Sequence, residues 1–416
     1  MSTRLNAPPS GPEVWAPEAS FTGLPVRPLT TTQELLKLLI SQGPLSRSAL
    51  AGALHVSRAR ITDLSRELLD AGLVVEIQDA PQRRQGKGRP FVHLAIDTSY
   101  GSCLGASVTD SRIHLMLTDL SGVVQAEQTV PSSVEPQELV ELVQRTLTLL
   151  LDRGDISRKR LLGIGLAISG FVDRERGICL HSANLGWHDV PIADLIIRAT
   201  GLPTVLENDA NAAATSEKLF GLARETQNFT LITLGSSIGC AHYIGGQLYR
   251  GSHGGAGEIA HSTVELGGQP CLCGKRGCLD TVASRAALLG AAGQAGLTAT
   301  SVGALERAAS TGDAQAQGIL RRGSQALGLV IANIVQSNEP ELVLIADPSG
   351  FGQGLFLTSL RQTIENNILP RFLRTTRIEV HAVQDEFWAR GAASIATHQF
   401  LSTYMPESGS PLREGE

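Results

Sequence analysis

The sequence predicts an α/β protein in which a winged helix-turn-helix precedes a larger α/β region of two lobes separated by a cleft. Residues 30–97 show the order helix, helix, helix, strand, strand. Strand and helix patterns then alternate over about 300 residues, which is enough chain for two cores. Hydrophobic residues make up 42% of the 416 residues and charged residues 18%, as in an ordinary globular protein.

The N-terminal stretch 1–28 is rich in Pro, Ser and Gly and has no hydrophobic periodicity, so we expect a disordered leader. It lacks the basic flank and apolar stretch of a secretory signal, and no apolar run approaches the ~20 residues that cross a bilayer. These features predict a cytoplasmic protein without membrane attachment. Its cysteines are then expected to be reduced, which disfavours disulfide bonds.

Three short helices are predicted before the first two strands. The first ends at Gly43, the second follows Ser46 and the third begins at Ser57, and both serines are good N-caps. The strands LVVEIQ and FVHLAID complete the order of a winged helix-turn-helix, which we expect to span residues 29–93. The apolar positions of the helices are Leu35, Leu36, Leu39, Ile40, Leu50, Leu54, Ile61, Leu64, Leu68 and Leu69.

The turn between the second and third helices departs from the usual pattern at one position. Helices that cross near a right angle need small and apolar anchors, which Ala51, Val56 and Ile61 provide. His55 occupies the turn position, where glycine is favoured because the backbone φ is positive. Histidine tolerates positive φ better than most residues, so we expect a cost on the order of 1 kcal/mol.

Positive charge is concentrated in this first domain. Residues 29–93 carry nine Lys or Arg and six Asp or Glu, a net charge of +3, whereas residues 94–416 carry 24 and 32, a net charge of −8. The third helix is predicted to enter a major groove, and the basic loop PQRRQGKGRP to contact flanking DNA. The alternative is a small helical protein-interaction domain whose basic loop is only a solvated surface. The predicted DNA contacts are Ser57, Arg58, Arg60, Thr62, Arg66, Arg83, Arg84, Lys87 and Arg89.

The larger α/β region is predicted over residues 94–402, followed by a tail at 403–416. Its predicted strands are RIHLMLTDL, LLGIGLAIS, TLITLG, AHYIGGQLY and ELVLIAD. Its predicted helices include ELVELVQRTLTLLL, SQALGLVIANIVQ and a final helix around 389–401. The repeated β-then-α order favours an α/β architecture over an all-helical or all-β one.

Three of the six cysteines lie in the stretch CLCGKRGCLD at 271–280. With His261 they give the spacing H-x9-C-x-C-x4-C, and three thiolates with one imidazole suit tetrahedral Zn²⁺. The adjacent sulfurs of C-x-C are poorly placed for an unstrained mutual disulfide. We therefore predict a closed, structural zinc site, with reduced and unliganded thiols as the alternative. Its four ligands would be His261, Cys271, Cys273 and Cys278.

The motifs GAGEIAH, CLCGKRGC and LENDANAAA together resemble the ROK family, which comprises bacterial sugar kinases and sugar-responsive repressors of the same fold. The similarity runs from about residue 96 to residue 397. With a winged helix in front and GKGRP at its wing, the chain resembles the repressor branch. The resemblance implies a two-lobed, actin-like ATPase fold, related to ribonuclease H, with sugar bound in the cleft.

The resemblance also implies which residues hold the sugar. Clustered carboxylates and amides are what the recognition of a polyol requires. His261 is expected to serve twice, with one ring nitrogen on zinc and the other toward the sugar. Asp280 stands where the family has glutamate, and Ser169 where proline is common, so the sugar stays unidentified. The implied sugar-binding residues are Gly170, Asn184, Asn208, Asp209, Glu258, His261 and Asp280.

In a kinase of this family Asp209 would be the base on the attacking hydroxyl, but phosphoryl transfer also needs phosphate loops. The first loop, D-x-G-x-T in the family, is assigned here to Asp97, with Ser99 in place of glycine. The second has become GSSIG at 235–239, and IADPSG at 345–350 replaces a third glycine cluster. Side chains there would crowd the approach of phosphate to the backbone. We expect no enzymatic activity and a vestigial Asp209, with an active ATP-dependent hexose kinase carrying a DNA-binding domain as the alternative.

The sequence thus favours a sugar-responsive transcriptional repressor that binds a palindromic operator as a homodimer, with a tetramer left open. Dimer symmetry would place the two recognition helices about one duplex turn, ~34 Å, apart. Operator DNA, a sugar or sugar derivative and a second copy are the expected partners, and Zn²⁺ is the expected cofactor. The sugar could act as inducer or corepressor, and a protein such as a transporter component could replace it as the signal.

Overall fold

The computed structural model describes residues 29–78, 92–109, 111–348, 351 and 354–405. The predicted leader 1–28 and the end of the predicted tail, 406–416, lie outside these ranges. Within the described residues, no helix combines the length and apolarity needed to span a bilayer. The basic wing is also outside the described residues, and with it the predicted DNA contacts Arg83, Arg84, Lys87 and Arg89.

The first described elements are the predicted three helices and two strands, with one short strand added. The three strands form an antiparallel sheet in the order β1-β3-β2. Thr30, Ser46 and Ser57 cap the helices, each hydroxyl accepting a backbone N–H three residues on, so both predicted serine caps are confirmed. We call residues 29–78 and 92–96 the reading head. Its elements are α1 (Thr31–Gln42), β1 (Leu45–Ser46), α2 (Arg47–Ala53), α3 (Arg58–Asp70), β2 (Val74–Gln78) and β3 (Val92–Ile96).

The turn between α2 and α3 has the predicted backbone conformation. His55 adopts a φ of 54°, in the left-handed region. The predicted apolar positions Ile61, Leu64 and Leu68 of α3 are buried, whereas Leu69 is half-buried. The helix-turn-helix arrangement inferred from the residue pattern is therefore confirmed.

The first lobe is built on a five-stranded sheet of order β11-β7-β4-β5-β6. Strands β4, β5 and β6 are antiparallel neighbours, whereas β4, β7 and β11 run parallel. Strands β8, β9 and β10 form a separate antiparallel sheet. The elements are β4 (Ser102–Val108), β5 (Arg112–Asp119), β6 (Val124–Pro131), α4 (Pro136–Gly154), β7 (Leu161–Ile168), β8 (Phe171–Asp173), β9 (Ile178–Ser182), β10 (Trp187–Val190), α5 (Ile192–Thr200), β11 (Thr204–Asn208) and α6 (Asp209–Leu219).

The second lobe repeats this topology in a sheet of order β14-β13-β12-β15-β16. Three antiparallel strands are again followed by two parallel ones, so the predicted two-lobed, actin-like fold is confirmed. The stretch AHYIGGQLY is a hairpin rather than one strand, because it turns at Gly245 and Gly246, both with positive φ. The elements are β12 (Phe229–Leu234), β13 (Ile238–Ile244), β14 (Gln247–Tyr249), α7 (Asp280–Ala283), α8 (Arg285–Gln294), α9 (Val302–Ser310), α10 (Ala314–Asn338), β15 (Leu342–Asp347), α11 (Leu355–Asn367), α12 (Phe372–Thr375), β16 (Arg377–Ala382) and α13 (Glu386–Thr403).

Helix α13 returns from the second lobe to the first, where it packs against β4, β7 and α6. Glycines permit this close approach. A Cβ at Gly105 would lie 2.9 Å from the Cα of Ala393, and a Cβ at Gly165 would lie 2.8 Å from Cγ1 of Ile395. The last helix of the chain is therefore part of the core of the first lobe.

The reading head shares an apolar core with the first lobe. The buried face of α1 belongs to one cluster with side chains from β5, α6 and α13. Arg224 also donates from Nε to the carbonyl oxygen of Ser41 at 2.9 Å, at the end of α1. We call this contact between the reading head and the first lobe the seam. The buried residues that the first lobe and α13 add to the cluster are Leu120, Leu219 and Leu401.

The assignment of Asp97 to a phosphate loop is wrong. Val108 of β4 pairs with Ile168 of β7, and Ile168 pairs with Asn208 of β11, so these three parallel strands end together. Asp97 precedes the start of β4 and therefore lies at the opposite end of the sheet. The strand before Asp97, β3, belongs to the sheet of the reading head and not to that of the first lobe. A motif at the end of β3 therefore cannot be the phosphate loop of the first lobe.

The Asp97 turn instead serves the seam. Its Oδ1 accepts hydrogen bonds from the N–H and the hydroxyl of Ser99, at 3.0 and 2.7 Å. Tyr100 faces Phe400 of α13, with ring centroids 6.0 Å apart. The turn that lies at the correct end of the sheet, between β4 and β5, has the sequence VTDSR and contains no glycine.

Candidate functional site

The carboxyl ends of β4, β7 and β11 gather the candidate ligands of the first lobe. Residues 169–170 follow β7, and residues 208–209 end β11 and begin α6. Ligands of α/β proteins ordinarily bind at the carboxyl ends of parallel strands. The fold thus brings together Gly170, Asn208 and Asp209, which are separated in the sequence.

Asn208 organises this end of the sheet. Its Oδ1 accepts the N–H groups of Ala210 and Asn211, at 2.9 and 3.3 Å, and its Nδ2 donates to the carbonyl oxygen of Gly170 at 3.2 Å. Gly170 has a φ of 146°, and a Cβ there would collide with the carbonyl oxygen of His181. Asn208 therefore caps α6 and fixes the neighbouring loop, while its predicted contact with sugar stays a prediction.

Asp209 provides a partly buried carboxylate beside a second one. Its Oδ1 accepts the N–H of Ala210 at 2.8 Å, and no hydrogen bond within the described chain reaches Oδ2. Burial and the nearby carboxylate of Glu258 raise the pKa of Asp209 to about 6. The hydrogen bond from Ala210 acts in the opposite direction and lowers this pKa. Burial also raises the pKa of Glu258, which His261 opposes. One carboxylate from each lobe is thus close enough for the two charges to interact, and each can accept hydroxyl hydrogens.

The four predicted metal ligands come together as expected. His261 and the three cysteines place one ligand atom each within 4.8 Å of all the others. The distance from His261 Nδ1 to Cys271 Sγ is 3.5 Å, and that from Cys273 Sγ to Cys278 Sγ is 3.6 Å. Tetrahedral bonds of ~2.3 Å to sulfur and ~2.0 Å to nitrogen separate ligand atoms by about 3.5 to 3.8 Å. The cluster can therefore hold a metal such as zinc.

The metal cluster and the carboxylate pair share His261. Its Nδ1 faces the cysteine sulfurs, while its Nε2 lies 3.8 Å from Oε2 of Glu258. Lys275 donates to the carbonyl oxygen of His261 at 2.6 Å. Gly277, with a φ of 70°, lets the loop close, since a Cβ there would collide with the carbonyl oxygen of Glu265. The imidazole thus presents its two nitrogens to two different groups, while its predicted contacts with zinc and with sugar stay predictions.

Asp280 is connected to the loop between β12 and β13. Its Oδ1 accepts hydrogen bonds from the hydroxyl of Ser237 at 2.8 Å and from the N–H of Ile238 at 2.9 Å. Arg285 donates from Nη2 to the hydroxyl of Ser236 at 2.7 Å. Both serines of GSSIG are therefore held by protein side chains, and the predicted contact of Asp280 with sugar stays a prediction.

Asn184 is exposed in the connection between β9 and β10. Ser182, two residues earlier, donates from its hydroxyl to the carbonyl oxygen of Ser169 at 2.7 Å. This bond joins the β9–β10 connection to the loop that holds Gly170. The structure thus places Asn184 on an adjoining segment, and its role in sugar binding also stays a prediction.

Sequence reasoning missed a charged network directly behind Asn208. Glu207 is fully buried, and its Oε2 accepts Nε and Nη2 of Arg250 at 2.8 and 2.7 Å. Nε of Arg174 lies 3.5 Å from the same oxygen, and Oε1 accepts Nδ2 of Asn211 at 3.1 Å. The sequence signal is a glutamate directly after the apolar pair Val205 and Leu206 in the strand TVLEN. Nothing local to that strand indicates which cations it pairs with.

A cavity of about 720 Å³ opens at the carboxyl end of β15 in the second lobe. Glu306 accepts the N–H groups of Leu355 and Phe356, at 2.9 and 2.8 Å, at the start of α11. A protein carboxylate therefore occupies a helix N-terminus, a place that favours anions. The charged residues that line the cavity are Glu306, Arg307, Arg321 and Asp347.

The predicted DNA contacts on and before α3 are all exposed: Ser57, Arg58, Arg60, Thr62 and Arg66. Two of the hydroxyls are used locally, since Ser57 caps the helix and Thr62 donates to the carbonyl oxygen of Arg58 at 2.8 Å. Arg66 lies 3.8 Å from an Asp63 carboxylate. Within the described chain, neither Arg58 nor Arg60 has an ion-pair partner, so both guanidiniums face solvent.

Comparison with known proteins adds four findings to this geometry. A family model described as the ROK family matches residues 103–399, a range that begins after Asp97. The xylose repressor of Caldicellulosiruptor bescii is 26% identical over 383 residues, which cover 88% of this chain and 95% of that protein. The glucokinase of Halalkalibacterium halodurans is 32% identical over 287 residues, which cover 64% of this chain and 86% of that protein. The crystal structure of a ROK family transcriptional regulator, a homologue of the Escherichia coli MLC protein, matches with a TM-score of 0.76 at 26% identity and covers 89% of this chain and 96% of that one.

Proposed function

This chain belongs to the ROK family, and we propose that it is a sugar-responsive transcriptional regulator that represses its target genes. One observation carries this conclusion. The xylose repressor aligns with 88% of the chain, whereas the glucokinase aligns with only 64%. This difference in coverage corresponds to about the length of the leader and the reading head together. The similarity to the repressor therefore extends into the N-terminal region, which a kinase does not need.

The proposed DNA contact is made by α3 of the reading head. The exposed, unpaired guanidiniums of Arg58 and Arg60 lie in its first turn, where a recognition helix meets base edges. Ser57, Thr62 and Arg66 would add contacts to the backbone or to bases. The wing arginines and lysine would neutralise flanking phosphates and so make binding salt-dependent.

The proposed effector is a sugar held between the lobes. Asp209 and Glu258 supply acceptors from opposite sides, and His261 connects the sugar to the metal cluster. Gly170, Asn184, Asn208 and Asp280 complete the proposed set. We propose a structural Zn²⁺ at His261 and the three cysteines, because four protein ligands leave no open position for activated water.

Helix α6 offers a route from the sugar to the DNA. Asp209 is its first residue, and Leu219, its last, is buried in the apolar core of the seam. Its 11 residues span about 16 Å at 1.5 Å per residue. Because a helix is stiff along its axis, closure of the cleft around sugar would displace α6 and with it the contact to α1. The spacing of two reading heads in a dimer would then change.

The same geometry supports a regulator rather than a kinase. The turn between β4 and β5 lacks glycine, and the serines of GSSIG are tied to Asp280 and Arg285. Glu306 places a negative charge at the N-terminus of α11, beside the cavity of the second lobe. Phosphate groups would meet side chains and a carboxylate where a kinase presents bare backbone N–H groups.

An active kinase with an appended DNA-binding domain is the second candidate, because Asp209 retains the raised pKa of a possible base. Incubation with ATP, Mg²⁺ and a panel of hexoses distinguishes the two. We expect no sugar-dependent release of ADP. Turnover above about 1 per second would fall in the ordinary kinase range and overturn the proposal.

The regulator itself is tested by selecting bound duplexes from a random pool and then titrating the selected DNA with and without sugars. We expect a palindromic site bound by a dimer, and one class of sugar that changes the affinity by about 5-fold to 150-fold. The direction of that change identifies the sugar as inducer or corepressor. We propose a cytoplasmic location, since such a protein must reach its operator. The absence of any sequence preference would refute the proposal, whereas intact DNA binding without a sugar response would point to a protein signal.

A further inference from the structure

Three cations converge where the reading head meets the two lobes. Lys37 lies on α1 of the reading head, Arg174 follows β8 of the first lobe and Arg250 follows β14 of the second. Arg174 donates from Nη2 to Oε1 of Gln399 on α13 at 2.8 Å. The cluster therefore touches the reading head, both lobes and the helix that joins them.

The cluster brings three cations to one buried carboxylate. Glu207 is the buried carboxylate among them, and its Oε2 already receives two hydrogen bonds from Arg250. Its Oε1 is taken by the N–H of Asn208 and by Asn211, both at 3.1 Å. Glu207 thus pairs closely with Arg250 and more loosely with Arg174, whose Nε lies 3.5 Å from the same oxygen.

Arg174 and Lys37 are neutralised less completely than Arg250, since Nε of Arg174 lies 3.5 Å from Oε2 of Glu207, beyond the two bonds from Arg250. Nε of Arg174 is buried and has no hydrogen-bond acceptor in the described part of the chain. No described acceptor lies within hydrogen-bonding reach of the Lys37 ammonium, and Gln399, the partner of Arg174, is neutral. Glu34, which interacts with Lys37, and Glu175, which interacts with Arg174 more weakly than Glu207 does, are both exposed.

Like charges at this range destabilise one another. Burial and then Arg174 lower the pKa of Lys37, while burial and then Arg250 lower the pKa of Arg174. The neighbouring His398 has its pKa lowered by removal from water and then by Lys37, Arg174 and Arg250, so it stays neutral and adds no anion. Partly buried cations that are incompletely neutralised cost free energy, and a bound anion would reduce that cost.

We propose that Lys37, Arg174 and Arg250 form a binding site for a small oxyanion of the phosphate class. A guanidinium presents parallel N–H donors that match two oxygens of a phosphate, and an ammonium adds a point charge from the facing element. None of the three cations belongs to the proposed set of sugar-binding residues. It is completed only when the reading head is docked, because Lys37 comes from α1.

The site would make the seam sensitive to the anion. An occupied site attracts Lys37 toward Arg174, whereas an empty site leaves the two cations repelling each other. The anion would therefore hold α1 against the two lobes. If the chain regulates transcription as proposed above, occupancy would also alter operator affinity, but the binding itself does not depend on that function.

The test is a calorimetric titration of the full-length protein with inorganic phosphate at constant ionic strength, with chloride as the reference salt. We expect one phosphate per chain in the wild type and at least tenfold weaker binding in Lys37→Met and in Arg174→Gln. The matched control is Lys159→Met, which removes an exposed lysine that does not belong to the three-cation cluster and should bind as the wild type does. Circular dichroism and the melting temperature establish that each variant folds, and Arg174→Lys provides a milder change if Arg174→Gln does not.

Phosphate that binds equally well to Lys37→Met and Arg174→Gln would overturn the proposal, and so would a wild type that binds none. Competition identifies the source of the anion. Displacement of inorganic phosphate by a hexose 6-phosphate, but not by the free hexose, would assign the site to a phosphorylated metabolite. Binding of inorganic phosphate without such displacement would assign it to free phosphate. Loss of operator binding in all samples, with phosphate binding intact, would count against the regulator and not against this site.

Discussion

Replacement of Asp209 by asparagine should stabilise the ligand-free protein near neutral pH and weaken its binding of sugar. The carboxylate is partly buried, and burial with the charge of Glu258 raises its pKa from 3.8 to about 6. The folded state therefore binds more protons than the unfolded state between these two values, and stability falls as pH rises through that range. Above it, the ionised carboxylate costs at most about 3 kcal/mol, a cost that asparagine does not carry.

Asparagine is a suitable probe because it keeps the local hydrogen bond. Its side-chain oxygen can still accept the N–H of Ala210, so the start of α6 is preserved. Urea unfolding at several pH values measures the effect. We expect a gain in the free energy of unfolding at pH 8 that exceeds the gain at pH 5 by about 1 kcal/mol, because the wild-type carboxyl is largely protonated at pH 5 in the folded state.

The matched control is Asp194→Asn, which removes an exposed carboxylate from the first turn of α5. It should change stability by only a few tenths of a kcal/mol, in the destabilising direction, because a favourable interaction with the helix dipole is lost. Sugar affinity should fall about tenfold to a hundredfold in Asp209→Asn, as expected for the loss of a charged hydrogen-bond acceptor. A variant no more stable than the wild type at pH 8, or a gain of equal size at pH 5 and pH 8, would refute the reasoning.

Three further outcomes are expected. Arg60→Ala should reduce the preference for the selected operator over random DNA by about 1 to 3 kcal/mol, as measured by competition binding, whereas equal loss on both DNAs would make Arg60 a phosphate contact only. Cys273→Ser should lower the zinc content, measured by mass spectrometry, below one ion per chain and should lower the melting temperature. The control Cys179→Ser, outside the cluster, should retain the ion. An unchanged zinc content in Cys273→Ser would exclude Cys273 as a ligand. Calorimetry with ATP and Mg²⁺ should detect no tight binding to the wild type, and saturable binding would show that the nucleotide site has been kept.

The features that the sequence predicts well are local ones. The caps at Ser46 and Ser57 and the positive φ of His55 depend on residues within a few positions of one another. The cluster of His261 with three cysteines also lies within 18 residues, so its spacing constrains its geometry. Such patterns specify their own conformation, and sequence reasoning recovers them.

The features that the sequence does not predict depend on distant pairing. The end of the sheet at which Asp97 lies follows from strand order and register, which a motif does not contain. Glu207 and Arg250 are 43 residues apart, and many cations would suit that glutamate equally well on chemical grounds. The contact of α1 with α13 joins opposite ends of the described chain. Only the folded topology selects these partners.

The apolar core of the seam limits how freely the two halves of the protein can be exchanged. Removal of everything after residue 97 would leave α1 with a bare strip of leucines that Leu120, Leu219 and Leu401 now cover. Such a fragment would tend to self-associate through that strip, and a chimera with an unrelated sensor would require a matching surface on its new host. Recombination among related proteins should therefore preserve α13 together with the reading head, even though the two are far apart in the sequence.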